Sequence, residues 1–352
     1  MIHKVILKAI TVLFVSFSIP SVSAQSAFQK TYEKTSRPSV ENIRIDFNDS
    51  DGNTTFLPIS IIKGEKEGPV FTMVAGVHGY EYPPIMAVQG LLQDIKATEL
   101  TGTLIVIPIA STNSFFTRTP FKNANDGVNL NGAFPGNSEG TVTQQIANLI
   151  TTEIIPKTDV FLDIHGGDAS EDLLPFICYY NNERKPKQTQ LAKELSEVSG
   201  FEYIVSYPYT LKDSDPAKYV FKQAVQDGKT GISIEAGKLG NVQQDMVDLI
   251  KTGVYNMLNK MGIYDNATEI DTPRIWLNSQ DYISSPQEGI FYSVHLAGDT
   301  VLKGELVGII KDEFGKLLSE IRSPKAGIIL YKIGTPPVSK GETIMCISSF
   351  DE

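Results

Sequence analysis

Apolar residues gather along this chain in short, nearly unbroken runs that stop abruptly in polar ones. Pro69–Val77 (PVFTMVAGV), Gly102–Ala110 (GTLIVIPIA), Asp159–Ile164 (DVFLDI) and Thr230–Ile234 (TGISI) all have this form. Such continuity predicts strands buried on both faces, in a sheet sandwiched between helices. Between the runs the period lengthens. Pro83–Ile95 opens on prolines suited to a first helical turn, and Gln144–Ile155 has Thr143 as its expected N-cap and stops at Pro156. Val242–Met261 sets Val242, Met246, Leu249, Ile250, Val254, Met257, Leu258 and Met261 on one face before Gly262. The pattern predicts an α/β domain.

The tail changes character near Thr272–Pro273. From Tyr282 onward, short β-like runs broken by glycines replace the helical periods, and they repeat. Glu288-Gly289-Ile290 recurs as Ala326-Gly327-Ile328, and Lys303-Gly304-Glu305 as Lys340-Gly341-Glu342. Two copies of strand–turn–strand at one spacing predict a pseudo-two-fold β-sandwich, similar to a lipoyl/biotinyl half-barrel. The expected hairpin tip, Lys311–Lys316, lacks the Met or Ala beside its lysines that a carrier needs, so the module reads as scaffold.

At the other end, Lys4 and Lys8 precede an apolar stretch, Ala9–Ile19, followed by Pro20 and Ser21-Val22-Ser23-Ala24. This reads as a secretory signal peptide cut after Ala24, with an anchor helix as the alternative. The apolar stretch is shorter than the roughly 20 residues that span a bilayer. The expected organisation is a signal peptide over 1–24, a catalytic domain over 25–272 and a β module over 273–352, in a periplasmic or secreted protein. The net charge of −10 argues against nucleic acid or an anionic membrane as partner. Cys178 and Cys346 both sit in strand-like runs. Buried thiols are the simpler reading, and a disulfide is open to an exported chain.

Three of the predicted strands run directly into residues that bind metals or move protons. Pro69–Val77 meets His78-Gly79-Tyr80-Glu81, Asp159–Ile164 meets His165-Gly166-Gly167-Asp168, and Thr230–Ile234 meets Glu235-Ala236-Gly237. Open α/β sheets bind ligands beyond the carboxyl ends of their strands. Two histidines and a carboxylate, here His78, Glu81 and His165, form one of the usual catalytic zinc sets and leave a position free. Glu235 is then placed to take a proton from water attacking a carbonyl.

Together and in this order, the segments Gly76–Glu81, Asp163–Asp168 and Ile234–Gly237 resemble the succinylglutamate desuccinylase/aspartoacylase family, a branch of the zinc carboxypeptidase-like hydrolases. The resemblance covers roughly residues 40–352. It implies a mixed sheet flanked by helices, one zinc ion held by His78, Glu81 and His165, and Glu235 as the base that also protonates the leaving amine. It further implies a substrate loop over Arg118–Gly136, with Arg118 polarising the scissile carbonyl and Asn131 binding substrate. The family pattern places an arginine after that asparagine to grip a substrate carboxylate, and Gly132 has no side chain to do so. Lys122 or Lys238 are candidate replacements.

The function expected from this is an exported zinc amidohydrolase acting on an N-acyl amino acid or a peptide-like amide. A carboxypeptidase acting on peptides or cell-wall peptides is the nearest alternative. A catalytically silent binding protein on the same fold is the alternative of another class. The oligomeric state is not legible. His295, without a motif around it, reads as structural, and the tyrosine-rich run Tyr203–Tyr209 fits either a pocket wall or a core.

Overall fold

The structure is a computed structural model that describes residues 26–271 and 273–350, so the expected signal peptide lies outside the described residues. Helix α1 (Ala27–Lys34) precedes strands β1 (Ser39–Asn48), β2 (Thr54–Lys63) and β3 (Lys66–Ala75). Then come α2 (Tyr82–Asp94), β4 (Thr101–Ile107), α3 (Thr112–Thr117), α4 (Val142–Leu149) and β5 (Val160–His165). A short β6 (Glu171–Leu173) leads to β7 (Phe176–Asn181), α5 (Pro186–Val198), β8 (Tyr203–Pro208), α6 (Val220–Gln226), β9 (Thr230–Glu235) and α7 (Gln244–Lys260).

The strands form a mixed sheet. Its centre is parallel through β4, β3, β5 and β9, and β7 joins β9 antiparallel. Every residue of β5 is buried, as the continuous apolar run requires of a strand covered on both sides. One face packs on α2, α5 and α7 through residues such as Ile85, Leu195 and Met257, the other on α1, α4 and α6 through Phe28, Ile146 and Val220. Each fully buried Leu, Ile or Val contributes about 1.5–3 kcal/mol.

The apolar runs locate the central strands to within a few residues, and two helix starts differ from expectation. The cap of α4 is Thr141, not Thr143: Thr141 accepts the Gln144 N–H, and the Gln144 side chain accepts the Thr141 N–H. Thr143 is buried and donates instead to Asp126. The segment also leaves the α-helical path at Ile150, through a π turn over Ile150–Ile154 and a 3₁₀ turn over Ile155–Lys157. Val242 is exposed and outside α7, because the Gln243 side chain hydrogen-bonds both the N–H and the carbonyl of Lys238 and delays the helix.

The C-terminal strands are β10 (Ile275–Ser284), β11 (Gly289–Tyr292), β12 (Thr300–Val301), β13 (Leu306–Lys311), β14 (Leu317–Arg322), β15 (Gly327–Ile333), β16 (Pro337–Val338) and β17 (Thr343–Phe350). They make a β-sandwich whose two layers enclose Phe291, Val307, Ile310, Ile329, Ile344 and Ile347. The sequence repeat falls on matching places. Gly289 and Gly327 open β11 and β15, and Gly304 and Gly341 lie in the turns before β13 and β17. One layer is a four-stranded sheet, β14-β13-β11-β16. The other continues the main sheet: β10 lies parallel on β8, with Ile275 opposite Tyr203, and β17, β15 and β12 follow, giving 13 strands with β6 paired to β15.

Candidate active site

The three strands that end in chemistry are neighbours in the sheet. β3 exits through Gly76-Val77 to His78, β5 ends on His165 and β9 on Glu235, with His165 and Glu235 opposite each other in the parallel ladder. Glu81 comes from the turn after His78 and stands at the N-cap of α2. The turn after His165 has no room for side chains: a Cβ on Gly166 would lie 2.4 Å from the carbonyl oxygen of Ala236, and one on Gly167 2.5 Å from that of Glu171. Asp168, fully buried in the same turn, accepts the Phe121 N–H at 2.9 Å and ties the 118–136 loop to the end of β5.

The carboxylate of Glu81 is shared between two imidazoles. His78 Nδ1 is 2.7 Å from its Oε1, and His165 Nδ1 is 2.9 Å from its Oε2. The outer ring nitrogens are held as well. His78 Nε2 lies 3.1 Å from Asn129 Oδ1, while His165 Nε2 lies 3.1 Å from Asp163 Oδ2 and 3.2 Å from Asn131 Nδ2. Burial opposes charge throughout this cluster, yet the pairing overcomes it. The histidines hold Glu81 down to about 2, Glu81 holds His78 above the ordinary histidine range, and Asp163 with Glu81 holds His165 well above it. Glu235 is driven the other way. Burial raises its carboxyl well above the usual range against the pull of His165, and no described residue hydrogen-bonds it.

One donor atom from each of His78, Glu81 and His165 falls within 4.8 Å of the other two. Two Nδ1 atoms and a carboxylate, with the imidazoles anchored from behind by Asn129 and Asp163, fit a zinc ion and its outer support. A divalent ion would also supply the charge that justifies burying Glu81 to 2 % exposure.

These residues open on a cavity of about 350 Å³, which His78, Glu81, His165, Glu235 and Asn131 all line. Asn131 brings an unsatisfied group, since its Oδ1 is buried without a protein partner among the described residues. Arg118 is not in the lining. It is exposed at the left-handed C-cap of α3 (φ 54°), within hydrogen-bonding reach of Tyr82. Lys122 and Lys238 are not in it either, and Lys238 pairs with Asp172 at 3.2 Å. A Cβ on Gly132 would find nothing within 4 Å, so the place of the family's arginine is open space.

The structure adds further residues to the site. Asn129 hydrogen-bonds His78, and Asp163 stands as a buried charge 3.1 Å from His165. Glu171 lines the cavity, and Tyr207, Tyr282, Tyr331 and Cys346 form a wall, the last three supplied by the C-terminal module. Asp163 had a readable signal, an acid in an apolar strand two residues before His165 and therefore on its face. Tyr207 falls in the run Tyr203–Tyr209, which fits a pocket wall or a core by sequence, while Tyr282, Tyr331 and Cys346 reach the cavity only because β10 docks beside β8. Cys178 and Cys346 are free and buried, and His295 lies 3.6 Å from both Asp299 and Glu305 in the C-terminal module, away from the cavity.

The sequence profile of the succinylglutamate desuccinylase/aspartoacylase catalytic domain matches residues 67–261. The N-alpha-acetyl-L-2,4-diaminobutyric acid deacetylase of Halomonas elongata is 28% identical over 312 residues, covering 87% of this chain and 89% of that protein. Among solved structures, a succinylglutamate desuccinylase from Silicibacter superposes with a TM-score of 0.80 at 25% identity, over 89% of this chain and 95% of the other. The product-bound ectoine utilization protein of Ruegeria pomeroyi has the same fold, with a TM-score of 0.80 at 24% identity over 89% and 96%.

Proposed function

This chain belongs to the succinylglutamate desuccinylase/aspartoacylase family and is a zinc-dependent deacylase, and from that premise we propose that it removes the acyl group from a small N-acyl amino acid, with Glu235 as its base. The observation that carries the reading is the meeting of two groups in one cavity: a carboxylate clasped between two imidazole Nδ1 atoms, and beside it a second carboxylate that nothing holds.

A zinc ion on His78, Glu81 and His165 supplies Lewis acidity, polarising the scissile carbonyl and easing the deprotonation of water. The protein does the rest. Glu235 accepts the proton of the attacking water and passes it to the departing nitrogen, a role suited to a buried carboxyl that holds a proton readily. Asn131 lines the cavity and offers its side-chain amide to the substrate. Asn129 keeps the His78 imidazole turned toward Glu81, and the Asp163 charge favours a proton on the outer nitrogen of His165. The limited cavity, closed on one side by the C-terminal module, favours a small substrate over a peptide. The leader-like residues 1–24 support action outside the cytoplasm, with Gln25 as the mature N-terminus.

The test is release of free amine from a panel of N-acetyl amino acids and dipeptides by the zinc-loaded protein, with His165→Ala in parallel. The N-acetyl compounds should turn over, and the variant should lose both metal and turnover. Hydrolysis of dipeptides alone would favour the carboxypeptidase reading, and none at full zinc occupancy would end the proposal.

A further inference from the structure

The chemistry above leaves one carboxylate of the cavity without a task. Glu81 is clasped by the histidines and Glu235 serves the proton transfer, whereas Glu171 does neither. It is nonetheless firmly placed. Its N–H donates to the Asp168 carbonyl at 2.9 Å, its own carbonyl accepts the Leu239 N–H at 2.8 Å, and β6 is pinned to β15 with Glu171 opposite Ile333. Its Oε2 accepts the Asp168 N–H at 2.8 Å, which orients the carboxylate, and no described residue bonds Oε1.

Its surroundings hold no lysine or arginine. Glu81, Glu171 and Glu235 line the cavity, and no arginine or lysine does so among the described residues. Gly132 leaves open space where the family pattern has an arginine. Burial, opposed only in part by the Asp168 N–H and by His78, pushes the Glu171 carboxyl up to about 7, a condition that a neighbouring cation would relieve. The wall beside it is tyrosine, from Tyr207, Tyr282 and Tyr331, and aromatic rings also attract cations. The Tyr331 hydroxyl donates to the Thr343 carbonyl at 3.3 Å, which steadies that ring.

We propose that Glu171 selects the substrate: it pairs with an ammonium group at the end of the amino-acid side chain, against the tyrosine wall, so that the preferred substrates are N-acyl derivatives of diamino acids. The proposal rests on the deacylase reading and names its substrate class.

Two measurements test it. In the first, zinc-loaded protein is given Nα-acetyl-2,4-diaminobutyrate, N-acetyl-2-aminobutyrate and N-acetylglutamate. The cationic compound is expected to lead in kcat/KM by about ten- to a hundredfold, the scale of one hydrogen bond to a charged group. Glu171→Gln, which keeps an acceptor for the Asp168 N–H, should erase that lead through KM rather than kcat. Glu171→Asp, which keeps the charge, should retain part of it. In the second, calorimetry compares binding of 2,4-diaminobutyrate and 2-aminobutyrate to metal-free and zinc-loaded protein. Tighter binding of the diamine, lost in Glu171→Gln, supports the subsite. Equal affinities, or a difference that survives the substitution, overturn it. If the diamine is selected but no N-acyl compound is cleaved, the deacylase reading fails alone. If cleavage proceeds without charge preference, this proposal fails alone.

Discussion

Replacing Glu235 with Gln keeps the length of the side chain and removes its basicity. Among the described residues the carboxylate has no hydrogen bond and no part in the metal set, so Glu235→Gln should bind zinc normally while kcat falls by about two to four orders of magnitude. Zinc analysis beside single-turnover kinetics checks this, and loss of metal would make Glu235 a ligand instead. Chelation probes the other side of the site. An ion bound only by the folded chain stabilises it, so stripping the metal should lower Tm by about 5–10 °C, restored by stoichiometric zinc. The two thiols offer a quieter check. Burial raises the Cys178 thiol well above the ordinary range and pushes Cys346 up to about 12, and both are free. The native protein should therefore resist iodoacetamide at pH 8 and take up two labels once unfolded, as intact-mass measurement would show.

At the level of elements, Asp172 joins the two halves of the molecule. It is buried on β6, pairs with Lys238 at 3.2 Å, faces Lys332 at 4.0 Å and accepts the Ala297 N–H at 3.2 Å. Asp172→Asn should cost about 1–3 kcal/mol, read as a lower midpoint in urea with an unchanged slope. Elements of this kind separate what the sequence discloses from what it withholds. The strands ending at His78, His165 and Glu235 are legible because burial on both faces demands unbroken apolar residues, and an abrupt His or Glu then stands out. The repeat in the C-terminal module is legible because Gly304 and Gly341 mark equivalent turns with positive φ. The short β6 is not, since its three residues, Glu171, Asp172 and Leu173, carry no alternation and become a strand only by pairing with β15. The start of α4 depends on a reciprocal pair of hydrogen bonds between Thr141 and Gln144, and several nearby threonines suit the same role on propensity alone. The tyrosine wall is a product of tertiary docking.

For the whole molecule, the decisive fact is that the main sheet does not stop where the sequence changes character. β10 is hydrogen-bonded to β8, and the strands behind it carry Tyr331 and Cys346 to the cavity. Calorimetry of the intact chain should accordingly show one cooperative unfolding transition. A chain cut after residue 272 should lose solubility, because it bares the edge of β8 and the apolar face under Leu277, Leu330 and Cys346. Two separate transitions, or a soluble and active truncated chain, would show the halves to be independent. The shared sheet also bears on how the reaction meets its solvent. An enzyme that must keep water away from a reactive intermediate usually closes a hinge over it. Here the cavity's floor and far wall are one hydrogen-bonded fabric, and swinging the wall inward would tear β10 from β8. That wall therefore keeps its place through the catalytic cycle. For an enzyme whose second reactant is water, such a fixed wall keeps the supply line of that reactant in place.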